Sequence, residues 1–175
     1  MEQKRCWHGN KEVLHTLNKL PRKIMTMHDK HNIVEFVMHE LCNDRCFNIT
    51  KAAYIIDNPD FDCVRGIAGY SQNEQYDRGD IWTVPDDFTN HMINASFNQK
   101  VRSLQRQSFR RNNAEREAMM HSLADELGME DYGCCDIVMK HDNHGIFLYE
   151  GVIDDEDEHE SFLDGISILS FCPIY

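Results

Sequence analysis

Residues 51–71 read KAAYIIDNPDFDCVRGIAGYS. Two β-prone runs, residues 52–56 and 63–70, flank Asn58-Pro59-Asp60. Proline presets a turn backbone, and Asn and Asp side chains bond to their own chain two residues on. The stretch therefore predicts an antiparallel hairpin with a wide loop. A second pair of runs, residues 134–140 and 146–152, flanks HDNHG and predicts another. Residues 166–171 form a last, continuously apolar run, which reads as a strand buried on both faces. These strands do not alternate with helices in a βαβ pattern. The fold class expected is α+β with a mainly antiparallel sheet, built from two hairpins plus a C-terminal strand.

Helical spacing predicts two short N-terminal helices and a long central helical region. The first covers residues 10–19, with Val13, Leu14 and Leu17 inward, and Pro21 ends it. The second runs from about 27 to 43, with Thr26 and Asp29 at capping-box spacing. Its core side is Val34, Val37, Met38 and Leu41. Residues 71–80 read as a polar loop and 81–84 as a short strand. Pro85 suits the first turn of a helical region over 86–127, with a break expected at Arg111-Asn112-Asn113. Gly128 suits the position after a helix end. Residues 154–160, DDEDEHE, read as a solvated acidic loop without the spacing of a calcium loop. With 175 residues and no Pro/Gly/Ser linker, one domain over 1–175 is expected.

Charge limits the partners. There are 18 basic against 30 acidic residues, a net of −12. That disfavours nonspecific binding to nucleic acid or to anionic membranes, both of which need a positive surface. No stretch approaches the roughly 18 apolar residues of a membrane span. The N-terminal residues lack a secretory pattern, so a cytoplasmic location with reduced thiols is expected for the seven cysteines.

The densest chemistry lies in HDKHNIVEFVMHELCNDRC, residues 28–46. On a helix, His28, His31, Glu35, His39, Cys42 and Cys46 share a band of about 80°. Imidazole, carboxylate and thiolate all bind zinc, and the first two suit iron. Neighbours three or four apart can chelate one ion. The whole band would span about 27 Å, so one ion takes adjacent members only, with Glu35, His39 and Cys42 central. Cys63, or Cys6 with His8, could complete the shell from another element. No CxxC, HExxH or finger spacing supports the band.

Other features carry less. Cys134-Cys135 point to opposite faces of a strand, which predicts one thiol in the core and one outside. Asp60 and Asp62 precede Cys63, and their charge opposes thiolate formation there. Gly66-x-x-Gly69 lacks the rest of any phosphate-binding fingerprint. Arg102, Arg106 and Arg110 stand four apart and predict a basic stripe on the central helix, suited to an anionic ligand, RNA or an acidic partner. The leading expectation is a zinc- or iron-binding protein, either structural or a metal-dependent enzyme of unknown substrate. The alternative is a non-catalytic interaction protein, using the acidic surface and the basic stripe to choose a protein partner or a second copy. A thiol enzyme using Cys42, Cys63 or the Cys134-Cys135 pair is a third class.

Overall fold

A computed structural model of the chain describes residues 6–27, 29–108, 113–139, 143–153 and 156–174. The helices are α1 (Cys6–Met25), α2 (Ile33–Cys42), α3 (Pro85–Asn94), α4 (Ser96–Arg102), α5 (Asn113–Leu127) and α6 (Glu156–Ser167). The strands are β1 (Lys51–Asn58), β2 (Cys63–Ser71), β3 (Gln105–Arg106), β4 (Tyr132–Val138) and β5 (His144–Glu150). They form one antiparallel sheet in the order β3-β2-β1-β5-β4. The mixed helix-and-sheet class read from the sequence is the class observed.

Both predicted hairpins form. In the first, Asn58 Oδ1 accepts from the Phe61 amide at 3.3 Å, and the Asp62 amide donates to the Pro59 carbonyl at 3.2 Å. Asp62 takes a left-handed backbone, φ 47°. These are the side-chain and backbone closures that Asn-Pro-Asp chemistry favours. Within the ladder, Tyr54 pairs with Ala68 and Ile55 with Gly66. Ile67 is therefore the extra residue of a bulge, so that Ile67 and Ala68 both face the core side of the sheet used by Tyr54 and Ile56.

The sheet is covered on both faces. Ala52, Tyr54, Ile56 and Phe147 belong to a core with α1, α2, α3 and α6. Ala53, Ile55, Ile146 and Leu148 belong to a second core with α4 and α5. Residues two apart share a face, so a strand apolar at every position must be buried twice. That is why β1 lacks an alternating pattern.

Several boundaries differ from the expectation. α1 runs through Pro21, because Val13, Leu17, Leu20 and Ile24 continue one apolar stripe on both sides of it. Packing along that stripe offsets a helix-interior proline penalty of about 3 kcal/mol. Leu14 lies outside the stripe, 48 % exposed. The expected central helix is three helices, broken at Ala95 and again after Arg102, where β3 follows. The break expected at Arg111-Asn112 lies outside the described residues. Residues 81–84 form a turn, not a strand. Asp80 holds it, accepting from the Trp82 amide at 3.0 Å through Oδ1 and from the Thr83 hydroxyl at 2.8 Å through its carbonyl.

The C-terminal strand is absent. Residues 166–171 are the end of α6 and a 3-10 turn, Ile168–Phe171. Ile166 and Leu169 are buried three residues apart while Phe171 is 83 % exposed, a helical and not an extended pattern. The Ser167 and Ser170 hydroxyls donate back to the Leu163 and Ser167 carbonyls, each at 2.7 Å. The acidic run expected as a loop opens α6, placing Glu156, Asp157 and Glu158 in its first turn. Carboxylates there complement the helix dipole. Asp154 and Asp155 lie outside the described residues.

Candidate functional site

The metal reading fails on geometry. Among the described residues, no three or more His, Cys, Asp or Glu side chains converge on one point. α2 begins only at Ile33, so His31 precedes the helix and is exposed. His28 and the side chains of Cys6 and His8 lie outside what is described. Thr26 donates to the Lys23 carbonyl at 2.7 Å and so closes α1, leaving no capping box to start α2 early. Cys46 lies past the helix end.

The polar side of α2 is inside the protein, where Glu35 and His39 have hydrogen-bond partners and Cys42 packs in the core. Glu35 is 2 % exposed. Its carboxylate accepts from Asn32 Nδ2 at 2.8 Å, from Asn98 Nδ2 at 2.9 Å and from Arg102 at 2.9 Å. A buried carboxylate is tolerable when its oxygens are bonded in this way. His39 is 7 % exposed, between the rings of Tyr70 and Phe88. Its Nε2 accepts from the Tyr76 amide at 3.3 Å, which fixes the neutral ring. Burial lowers the His39 pKa to about 4, with Glu40 opposing and His91 adding to the effect. Cys42 is buried in the core, and burial raises its thiol pKa well above the usual value. Burial raises Cys46 to about 12. These thiols behave as small apolar groups.

The basic stripe also separates. Arg102 ends α4 and is bound to Glu35, whereas Arg106 sits in β3 paired with Glu126. Arg110 lies outside the described residues. Four-residue spacing makes a stripe only along an unbroken helix, and the chain leaves the helix at Ser103. The cysteine pair on β4 divides as strand alternation predicts, Cys135 buried and Cys134 exposed.

Gly66 and Gly69 have a structural use. β3 pairs only with Val64 and Arg65. α4 lies against the rest of β2, where the Gly69 amide donates to Asn98 Oδ1 at 2.9 Å and the Gly66 amide to the Leu104 carbonyl at 3.1 Å. A Cβ on Gly66 would stand 1.8 Å from the Val101 carbonyl oxygen. Asn98 also donates to Glu35, so one buried amide ties β2, α4 and α2 together.

A cavity of about 470 Å³ opens at the turn end of the first hairpin. Cys63, Arg65 and Ile67 line it from β2, and Ile56 and Asn58 from β1. Phe61, Asn143 and Ile174 complete the wall. Ile56 and Ile67 give it an apolar floor, and exposed Phe61 stands at its edge. Its size falls in the range of small-molecule sites. Among the described residues, no histidine, aspartate or glutamate lines it. Of the candidate site residues named from the sequence, only Cys63 is among its described lining residues. The alternation Cys63-x-Arg65-x-Ile67 signals a shared strand face, but Asn143 and Ile174 arrive from far along the chain and leave no local signature.

Comparison of the chain with family models, curated proteins and solved structures gives no match. Among the described residues, no helix is long and apolar enough to cross a membrane.

Proposed function

We propose that this protein binds a small organic anion with an apolar body in the cavity between the β1–β2 turn and Ile174. The observation that carries the reading is the cavity's composition: an apolar floor, two amides and one guanidinium in about 470 Å³. Binding pockets of this size are mostly apolar, with a few polar groups to orient the ligand. A guanidinium in the wall selects for negative charge.

Anilinonaphthalene sulfonate is a suitable probe, being an apolar ring system with one anionic group. Its fluorescence titration should saturate at one site per chain. Ile67→Trp, which fills the cavity, should abolish binding. Arg65→Met should weaken it roughly tenfold, the size of one solvent-screened charge contact. Undiminished binding by both variants would overturn the proposal.

A further inference from the structure

The two edges of the sheet differ. The strand order ends in β3 on one side and in β4 on the other. β3 is two exposed residues, Gln105-Arg106, and Arg106 pairs with Glu126. Very short, charged edge strands resist pairing with another chain. β4 is seven residues long and pairs with β5 in unbroken register, without a bulge, proline or lysine. Among the described residues, no other strand lies beside it. Its one charged side chain, Asp136, is paired with Arg116. Val138, at its end, is 82 % exposed.

The ladder fixes which backbone groups of β4 face outward. Val138 is opposite His144, so Met139 and Asn143 are the next opposite pair. The Met139 amide donates to the Asn143 carbonyl at 3.2 Å, so the backbone of Met139 faces β5. Antiparallel residues alternate between facing one neighbour and the other. Gly133, Cys135 and Ile137 therefore bond to β5. Tyr132, Cys134, Asp136 and Val138 present their N–H and C=O groups to the open edge. Cys134, Asp136 and Val138 are exposed, and Tyr132 is half-buried.

We propose that β4 pairs antiparallel with β4 of a second copy of this chain, joining the two sheets edge to edge. The strand is complementary to itself, as a two-fold contact requires. With Cys135 on the two-fold axis, Tyr132 lies opposite Val138 of the second copy, and Cys134 lies opposite Asp136. All the outward residues of both strands then pair. Each exposed Val138 meets a tyrosine ring, a favourable cross-strand pair, and the two Asp136 carboxylates are not directly opposed. Sliding the copies by two residues in one direction sets Asp136 against Asp136, a like-charge contact. Sliding them the other way carries Val138 past the end of the facing strand. One register thus gives the most hydrogen bonds, the best side-chain pairs and the least repulsion together, and only a second copy supplies it.

Sedimentation equilibrium of the full-length protein in reducing buffer, over about 1–300 μM, tests this. A reversible dimer with a Kd of about 10–100 μM is expected, the range of a small interface. In amide hydrogen exchange followed by NMR, Cys134 and Asp136 should slow by about fivefold or more between the low and high ends of that range. Cys135 and Ile137, already bonded to β5, should change by less than about twofold. Asp136→Pro deletes an N–H at the centre of the open edge and spares the bonds to β5, so it should stay monomeric. Val138→Lys alters a contact that occurs twice in the dimer and should raise the Kd about tenfold. Both should keep the native circular dichroism spectrum, and Val138→Lys carries the test alone if the proline variant does not fold. A native protein that is monomeric throughout overturns the proposal, whether the edge takes a strand from another protein or none. A dimer that Val138→Lys leaves unchanged, or one in which Cys134 and Asp136 still exchange freely, overturns it too.

Discussion

At the scale of single residues, the polar side chains of α2 are held by burial and not by a metal. His39 is the clearest case for pH. Its folded-state pKa of about 4 lies below the ordinary value of 6.5. Folding therefore favours the neutral ring, and the associated stability is complete above pH 6.5. It is lost as the pH falls from 6.5 towards 4, by about 3 kcal/mol in all. Urea denaturation at intervals across this window should show the decline, and His39→Phe should flatten it. Tyr70 makes the opposite point. Its hydroxyl is buried without a hydrogen-bond partner, and burial raises its pKa. Tyr70→Phe removes an unsatisfied group, so it should leave stability within about 0.5 kcal/mol or raise it. A loss above about 1.5 kcal/mol in the same denaturation assay would contradict this. The sequence displayed His39, Glu35 and Cys42 as neighbours but not their partners. Tyr76, Asn98 and Arg102 come from elements 37 to 67 residues away, and no local pattern reports a contact across that distance.

At the scale of elements, legibility followed local chemistry. The hairpins were readable because Asn-Pro-Asp closes its own turn. The helix ends were not, since Pro21 is overridden by a stripe that packs on both sides of it. The final apolar run was ambiguous, because short buried helices and strands look alike when every residue is apolar. The Gly66-x-x-Gly69 pair was read only as a failed phosphate loop, although it is the platform on which α4 sits. Gly66→Ala should therefore destabilise strongly. The added methyl overlaps the Val101 carbonyl oxygen, and backbone, unlike a side-chain tip, cannot swing away. A loss of about 3 kcal/mol is expected by thermal or chemical denaturation. Gly79→Ala gives a useful contrast, since nothing lies near a Cβ there and only its positive φ opposes the change. Its effect should be about 1 kcal/mol.

At the scale of the whole molecule, the antiparallel α+β class was legible and the candidate site was not. The site gathers residues 56–67, 143 and 174, which only the completed sheet brings together. The stability of the protein should accordingly be indifferent to chelators. Its melting temperature with and without EDTA should agree within a degree or so, since the described residues hold no cluster of metal ligands. The double variant His39→Ala/Cys42→Ser should lower the melting temperature by opening the core, without releasing zinc or iron. The strand order has a further consequence, in time instead of space. β1 lies between β2 and β5, and β5 begins at His144, long after β1 ends at Asn58. During synthesis the first hairpin emerges with one side of β1 bare. It stays so for on the order of ten seconds, until the ribosome has delivered β5. The unfinished chain thus carries an open strand edge that the finished sheet covers, and translation pauses between residues 71 and 144 lengthen the time a nascent-chain chaperone has to shield it.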